Sequence, residues 1–173
     1  MSESGSRFWS FSLAVYRGAS VQAECLDLQD RHGVNVNLLL FCAYVGAAHG
    51  AVLPDAELRA ARALVSAWHD EVVGRLRAAR RALKPFAAAS SPGVSAAELR
   101  STVKTAELEA ERIEQAMLEE WSAGPLEAWP RAAPEAAITA NLRSLFVLSG
   151  DAPRPPEMPS HLVAASLAVA SPM

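Results

Sequence analysis

The chain has 173 residues, of which 51% are hydrophobic, and its formal net charge at pH 7 is -3. This length suffices for one domain whose hydrophobic core needs neither disulfides nor metals. The slightly acidic balance argues against a general nucleic-acid-binding protein, because neutralising phosphates requires a dominant basic face.

The first elements along the chain are predicted to be helices. A helix over residues 7–17 is indicated by Trp9, Leu13 and Tyr16, which share one helical face. A second helix is predicted over residues 20–32, since strand-type alternation is absent there. The short connection that follows should make the second and third helices close neighbours.

The most apolar segment of the chain runs from Leu38 to Ala48. It is too short to span a membrane. An apolar segment without a polar face predicts a helix that is surrounded by other helices. Gly33 is placed to end the preceding helix in a left-handed conformation, and Asn35 is placed to cap this one. We therefore expect a buried central helix.

Two long helices are predicted next, joined by the segment AAASSPGV. The first begins at Pro54, and the second begins at a capping box formed by Ser95 and Glu98. Apolar residues recur at threes and fours in both helices, which favours an antiparallel hairpin. The predicted seams are Leu58, Ala61, Val65, Trp68, Val72, Leu76, Ala79 and Leu83 in the first helix, and Leu99, Val103, Ala106, Ala110, Ile113, Met117 and Trp121 in the second.

The remaining chain completes an all-α, single-domain bundle of five or six helices. A last long helix is predicted over residues 134–149, with Ile138, Leu142, Leu145 and Phe146 facing inward and Gly150 as its cap. The predicted organisation is a disordered N-terminus over residues 1–6, a helical domain over residues 7–150 and a Pro-rich, flexible tail over residues 151–173. Within that tail, Ser160 is placed to cap a short apolar helix.

Two cysteines, Cys25 and Cys42, lie inside apolar stretches. This placement suits buried reduced thiols better than a secreted disulfide framework. The N-terminal residues show no signal-peptide pattern, and no segment is long enough to cross a membrane. We therefore expect a cytoplasmic protein.

Polar residues flank the central helix at Gln29, Asp30, Asn35 and Asn37. Each would cost about 1 to 3 kcal/mol if it were buried without a partner. The natural partners lie on one strip of the first hairpin helix, which carries His69, Arg77, Arg80 and Lys84. Two interpretations are open: a structural salt bridge with helix caps, or an anion site lined by the two arginines.

Charge is unevenly distributed along the hairpin. Its linked end is predicted to be basic through Arg75, Arg77, Arg80, Arg81, Lys84, Arg100 and Lys104. This end is either ordinary solvated surface or a docking patch for an acidic protein, a phosphorylated ligand or anionic lipid. The candidate binding residues are therefore Gln29, Asp30, Asn37, His69, Arg77, Arg80, Arg81 and Lys84.

The sequence contains no nucleotide-binding loop, no serine-hydrolase elbow and no metal-binding histidine motif. We predict no catalytic residue, no metal and no cofactor. The segment D-L-Q-D, which contains Asp27 and Asp30, matches half of the aspartate-rich motifs with which helical prenyl synthases hold magnesium. A diphosphate site of that kind needs a second carboxylate cluster. The available candidates, Glu107, Glu111 and Glu114, are expected to face solvent.

Three segments, FWSFSLAVY, CLDLQDRHGVNVNLLLF and WHDEVVGRLRAARRALK, together resemble an uncharacterised family, domain of unknown function 2390, found mainly in proteobacteria. The likeness covers about residues 7–150, with Tyr44 where a tryptophan is expected. It implies a small, helical, cytosolic bacterial protein and no particular activity. The positions that carry it are Leu28, Gln29, Asp30, Gly33, Asn37, Trp68, Arg77 and Arg81.

We expect the function to be that of a non-enzymatic binding or adaptor module. Its partner, a protein or an anionic ligand, would bind at the basic hairpin end or in a groove beside the central helix. The alternative is a small-ligand or diphosphate-handling enzyme with Asp27 and Asp30 as acidic ligands and Arg77 and Arg80 as anion clamps. A third possibility is peripheral membrane association through the basic end and the apolar C-terminal segment. The sequence predicts no particular oligomeric state.

Overall fold

Helices form almost all of the computed structural model, which describes residues 6–87, 95–149 and 156–170. A π-helical turn, His69–Val73, joins α4 to α5, and a 3-10 turn, Leu126–Ala128, follows α7. The helices are α1 (Arg7–Val15), α2 (Ala19–His32), α3 (Val36–His49), α4 (Asp55–Trp68), α5 (Gly74–Ala82), α6 (Lys84–Ala87), α7 (Ala96–Ser122), α8 (Pro134–Ser149) and α9 (Ser160–Ala170).

The predicted all-α class is confirmed for the described residues. The predicted number of five or six helices is too low, because the first arm of the hairpin is divided by the π turn, α6 is an additional helix, and α9, the short helix predicted at Ser160, packs with the bundle. None of the helices in the described segments has the length and apolarity needed to cross a bilayer.

Helix α3 is the centre of the core, and every residue from Asn37 to Ala47 is buried. The side chain of Asn35 caps it by accepting hydrogen bonds from the backbone N–H groups of residues 37 and 38. The preceding helix, α2, ends at Gly33, whose φ of 62° is in the left-handed region, as predicted. The two caps fix a short turn between α2 and α3.

Helix α8 packs tightly against α3. A Cβ atom added to Gly46 would lie 2.6 Å from the backbone nitrogen of Ile138, so only glycine permits this approach. Asn141 of α8 is buried; its amide nitrogen donates to the carbonyl groups of Cys42 and Ala51, and its oxygen accepts from the N–H of Leu53. The four residues predicted to face inward on α8 are buried.

Helices α4 and α5 pack antiparallel to α7. The indole N–H of Trp68 donates to the carbonyl oxygen of Ala110 at 2.9 Å. Beyond Trp68, the predicted seam is wrong by one residue, because Val73 is fully buried where Val72 was expected. The π turn causes this shift, since it places one extra residue in a helical turn and rotates α5 relative to the pattern of α4.

The buried seam of α7 also differs from the predicted one. Its buried positions are Glu107, Ala110, Glu114, Gln115, Leu118 and Ser122. Ile113, expected in the seam, is exposed. Both facing surfaces of the hairpin are therefore displaced by about one residue from the apolar pattern, and polar side chains meet where alanine and leucine were expected.

Helix α9 packs against α1, α2, α3 and α8. Glu24 of α2 holds its first turn, because the carboxylate accepts hydrogen bonds from the backbone N–H groups of His161 and Leu162 at 3.1 and 2.9 Å. The predicted link AAASSPGV, apart from Ala87 in α6, and the predicted cap Gly150 lie outside the described residues, as do residues 1–5, 151–155 and 171–173. The domain boundary at residue 150 stays a prediction.

Candidate binding site

Glu114 lies at the centre of a buried polar network. Its side chain is fully buried, and its two oxygens accept hydrogen bonds from the amide nitrogens of Asn35 and Asn37 at 2.7 and 2.9 Å. On the other side, Nδ1 of His69 lies 3.1 Å from the Glu114 carboxylate. One carboxylate thus connects α7 to the start of α3 and to the π turn.

Glu107 and Glu111 bind the arginines of α5. Arg77 donates from Nε to Glu107 at 3.1 Å and from Nη2 to Glu111 at 2.8 Å, and Arg80 also donates to Glu107. Burial alone would raise the pKa of Glu107, but the hydrogen bonds from Arg80 and Arg77 outweigh it and lower that pKa. Burial raises the pKa of Glu111 despite its bond to Arg77.

The prediction that these three glutamates face solvent is wrong for Glu107 and Glu114, which are buried, while Glu111 is half-buried. The physical reason is the rotation introduced by the π turn, which directs Arg77 and Arg80 toward α7. Paired charges replace apolar contacts there. A signal was present in the sequence: the arginines are three residues apart, and the glutamates recur at intervals of four and three on one face of α7.

The network fixes the orientation of two buried amides. Asn37 donates its amide nitrogen to Glu114, so its oxygen is available and accepts from the amide nitrogen of Gln115 at 2.9 Å. The oxygen of Gln115 is therefore the atom left over. It has no hydrogen-bond partner among the described residues.

Beside this network lies a groove of about 520 Å³ between α1, α2, α3, α5 and α7. This volume is typical of small-ligand sites. One wall is apolar and consists of Trp9, Leu13, Leu26, Val36, Leu40 and Leu108. The polar lining includes Arg77, Arg80, Arg81, Lys104, Glu107, Glu111, Asn37 and Gln115. Hereafter this cavity is called the groove.

The residues of this site lie in a region that matches a known protein family. The sequence profile of the family described as "Protein of unknown function (DUF2390)" matches residues 7–118, which is more than half of the chain. The chain belongs to the DUF2390 family. The resemblance stated from the three sequence segments is confirmed, although the match ends well before residue 150. No curated protein and no solved structure matches the chain.

Every residue that lines the groove lies inside the DUF2390 match. Of the predicted site residues, Gln29, Asn37, Arg77, Arg80 and Arg81 line the groove. The other three lie elsewhere. Asp30 is exposed and accepts a hydrogen bond from Arg81 at 2.9 Å, His69 binds Glu114, and Lys84 is exposed. The structure therefore brings together five of the eight site residues that were predicted from the sequence.

Several residues of the groove were not predicted from the sequence. Ser12 and Gln115 are buried polar residues in the groove, and Glu107 and Glu111 hold the arginines there. The spacing of the glutamates was a usable signal. Ser12 and Gln115 gave none, because a single hydroxyl or amide in an amphipathic helix is most often exposed.

Asp27 and Asp30 both bind arginines. Asp27 pairs with Arg31 at 2.7 Å, and Asp30 pairs with Arg81 rather than with Arg77 or Arg80. The hydrogen bond from Arg81 holds the pKa of Asp30 below its usual value. Within the described segments, no group of three or more His, Cys, Asp or Glu residues is arranged to hold a metal ion.

The two cysteines are free and buried. Burial raises the pKa of each thiol to about 12, so both are protonated near neutral pH. Neither Cys25 nor Cys42 lines the groove. Both thiols belong to the hydrophobic core, which agrees with the buried reduced thiols expected from the sequence.

Proposed function

We propose that this protein is a non-enzymatic binding module whose ligand occupies the groove. The observation that carries the proposal is that two residues lining the groove, Ser12 and Gln115, each have a buried polar atom, Oγ and Oε1, without a hydrogen-bond partner among the described residues. An unpaired buried polar atom costs about 1 to 3 kcal/mol. A ligand that supplies the missing hydrogen bonds would recover this free energy on binding.

The apolar wall gives independent support. Leu13, Leu26 and Leu108 belong to three different helices and keep 45%, 47% and 48% of their surface exposed. Single exposed leucines are common, but leucines that converge on one concave site are typical of ligand-binding surfaces. The groove thus offers both apolar contact and hydrogen bonds.

The basic hairpin end has less support as a separate site. Arg77 and Arg80 are bound by the buried Glu107, and a partner would have to replace this carboxylate, which lowers the net gain. Lys104, which forms no ion pair among the described residues, and Arg81, which uses one N–H group for Asp30, both line the groove. A protein-binding role, a bacterial origin and a cytoplasmic location remain predictions from the sequence.

The alternative, a diphosphate-handling enzyme, has less support. Asp27 and Asp30 are each neutralised by an arginine, and both Arg77 and Arg80 are engaged by Glu107. The groups proposed as metal ligands and as anion clamps are thus already paired with other side chains.

A fragment screen by NMR tests the proposed function. Backbone amide shifts of the labelled full chain would be recorded against a mixed library of neutral, anionic and cationic fragments. We expect the hits to shift residues of the groove. Leu108→Gln should weaken these hits several-fold by removing apolar contact, about 1 to 2 kcal/mol.

Leu99→Gln is the matched control. Leu99 lies on the same helix, is 53% exposed and is outside the groove, so its substitution should leave the hits unchanged. Fragments that distribute evenly over the surface, or that respond equally to both substitutions, would refute the proposal.

A further inference from the structure

The cations that line the groove outnumber its carboxylates. Its lining contains Arg77, Arg80, Arg81 and Lys104 and two carboxylates, Glu107 and Glu111. Lys104 is exposed and forms no ion pair among the described residues, and Arg81 uses a single N–H group for Asp30. At the end of the groove formed by Lys104 and Arg81, charge complementarity therefore favours a negatively charged group.

The groove has a different polar group farther along α7. Gln115 follows Lys104 by eleven residues, which corresponds to about 16 Å along a helix. Gln115 is 2% exposed, and the network described above commits its amide nitrogen to Asn37. Its free atom is a carbonyl oxygen, which only a hydrogen-bond donor can satisfy. Ser12, 3% exposed, adds a hydroxyl without a partner among the described residues.

The surface between these two ends is apolar except for charges that are already paired with one another. Leu108 lies between Lys104 and Gln115 on α7, and Leu13 and Leu26 contribute from α1 and α2. Glu107 and Glu111, which also lie between the two ends, are bound by Arg77 and Arg80. A ligand that contacts both ends must cross this surface. Its middle part should therefore be apolar, because a polar chain would lose its hydration there without gaining partners.

We propose that the groove binds an elongated organic anion with an apolar body, whose charged group contacts Lys104 and Arg81 and which donates a hydrogen bond to Gln115. A hydroxylated acyl carboxylate has this combination of groups. The inference rests on the proposed function and adds the chemical class of the ligand to it.

Three probe molecules test the ligand class by calorimetry on the full chain: ω-hydroxydecanoate, decanoate and α,ω-decanediol. The hydroxy acid should bind about tenfold more tightly than the diol, which lacks the anion, and several-fold more tightly than decanoate, which lacks the donor. If the diol binds as tightly as the hydroxy acid, the proposed class is wrong.

Matched variants locate the contacts. Lys104→Gln should weaken binding of both acids about five- to tenfold and leave the diol unaffected. Lys84→Gln, which removes an exposed lysine outside the groove, should leave all three affinities unchanged. Equal effects of the two lysine substitutions would refute a site-specific contact with the anion.

Gln115→Met should abolish the preference for the hydroxy acid over decanoate while decanoate binding persists. If this variant fails to fold, Ser12→Ala provides the second test, and the preference should then decrease. A preference that survives in a folded Gln115→Met variant would overturn the assignment of the donor contact.

The outcomes distinguish a wrong ligand class from a wrong site. If the probes shift the signals of groove residues but their affinities do not follow the expected order, only the ligand class is refuted. If neither the probes nor the fragments perturb the groove, the ligand class and the proposed function are both refuted.

Discussion

The two sides of α3 differ in how they are held. Toward α8, contact is apolar apart from the buried Asn141, and it is so close that Gly46 has no room for a side chain. At its other side, the N-terminal turn of α3 meets α7 through Asn35, Asn37 and Glu114, and the groove lies next to that contact. One side is a packed core, and the other is a polar network that borders a cavity.

This difference suggests that one side of α3 mainly stabilises the fold and that the other side forms the binding site. Close apolar packing stabilises a fold but leaves no space for a ligand. A buried network of charges is seldom more stable than an apolar core of the same volume, and its orientation is well defined only when every member is satisfied. Among the described residues, the network around Glu114 is satisfied except at the oxygen of Gln115, which lines the groove. We infer that the network orients the groove and that α8 supplies the rigid support behind it.

The largest effect is expected from removing the centre of the network. Glu114→Ala should lower the free energy of unfolding by about 3 to 5 kcal/mol, because Asn35, Asn37 and His69 lose their common acceptor inside the protein. Urea unfolding near pH 7 measures this loss. Glu120→Ala, an exposed glutamate of the same helix, should change stability by less than about 0.5 kcal/mol. Equal losses in the two variants would contradict the central role of Glu114.

The second effect tests the packed side. Gly46→Ala should cost about 3 kcal/mol, because the new methyl group meets the backbone of α8 rather than the end of a flexible side chain. The melting temperature and the urea midpoint should both fall. Gly124→Ala is the control, since no atom of the described residues lies within 4 Å of the added Cβ there, and it should be neutral or slightly stabilising. A Gly46→Ala variant as stable as its control would show that α3 and α8 are farther apart than described.

The packed side was predictable from the sequence, whereas the polar side was predictable only in part. Ile138, Leu142 and Leu145 follow helical spacing, and burial of apolar residues needs only this spacing. The seam predicted beyond Trp68 was wrong, because a π turn has no reliable sequence pattern. The extra residue in this turn places Val73 in the core instead of Val72.

The candidate site depends on that same turn. Arg77 and Arg80 were identified as site residues from their position beside the central helix, but Glu107 was assigned to solvent, since a glutamate is almost never fully buried without a partner. The partners become visible only when the rotation of α5 is known. The hydrogen bond left open at Gln115 depends on the direction of two amides, which no sequence pattern encodes.

The smallest of the three effects concerns pH and separates paired charges from ordinary surface charges. The pKa of Glu107 is lowered from its unfolded value near 4.5, so its contribution to stability is fully present above that value and is lost as the pH falls through the lowered pKa. Glu107→Gln should cost about 1.5 to 3 kcal/mol near pH 7, because two arginines lose a charged acceptor. The stability difference between the parent protein and the variant should shrink progressively below pH 4.5.

Glu111 has the opposite effect on the pH dependence of stability. Its pKa is raised in the fold, so its contribution to stability is present at low pH and is lost as the pH rises through the raised pKa. Because Glu111 is present in both proteins, most of its effect cancels when urea unfolding of the parent and of Glu107→Gln is compared at each pH. A difference in stability that stays constant from pH 7 to pH 3 would mean that Glu107 contributes packing rather than charge. If Glu107 instead binds the two arginines through its charge, Glu107→Gln releases them beside the groove, and binding of the hydroxy acid should become stronger in the variant.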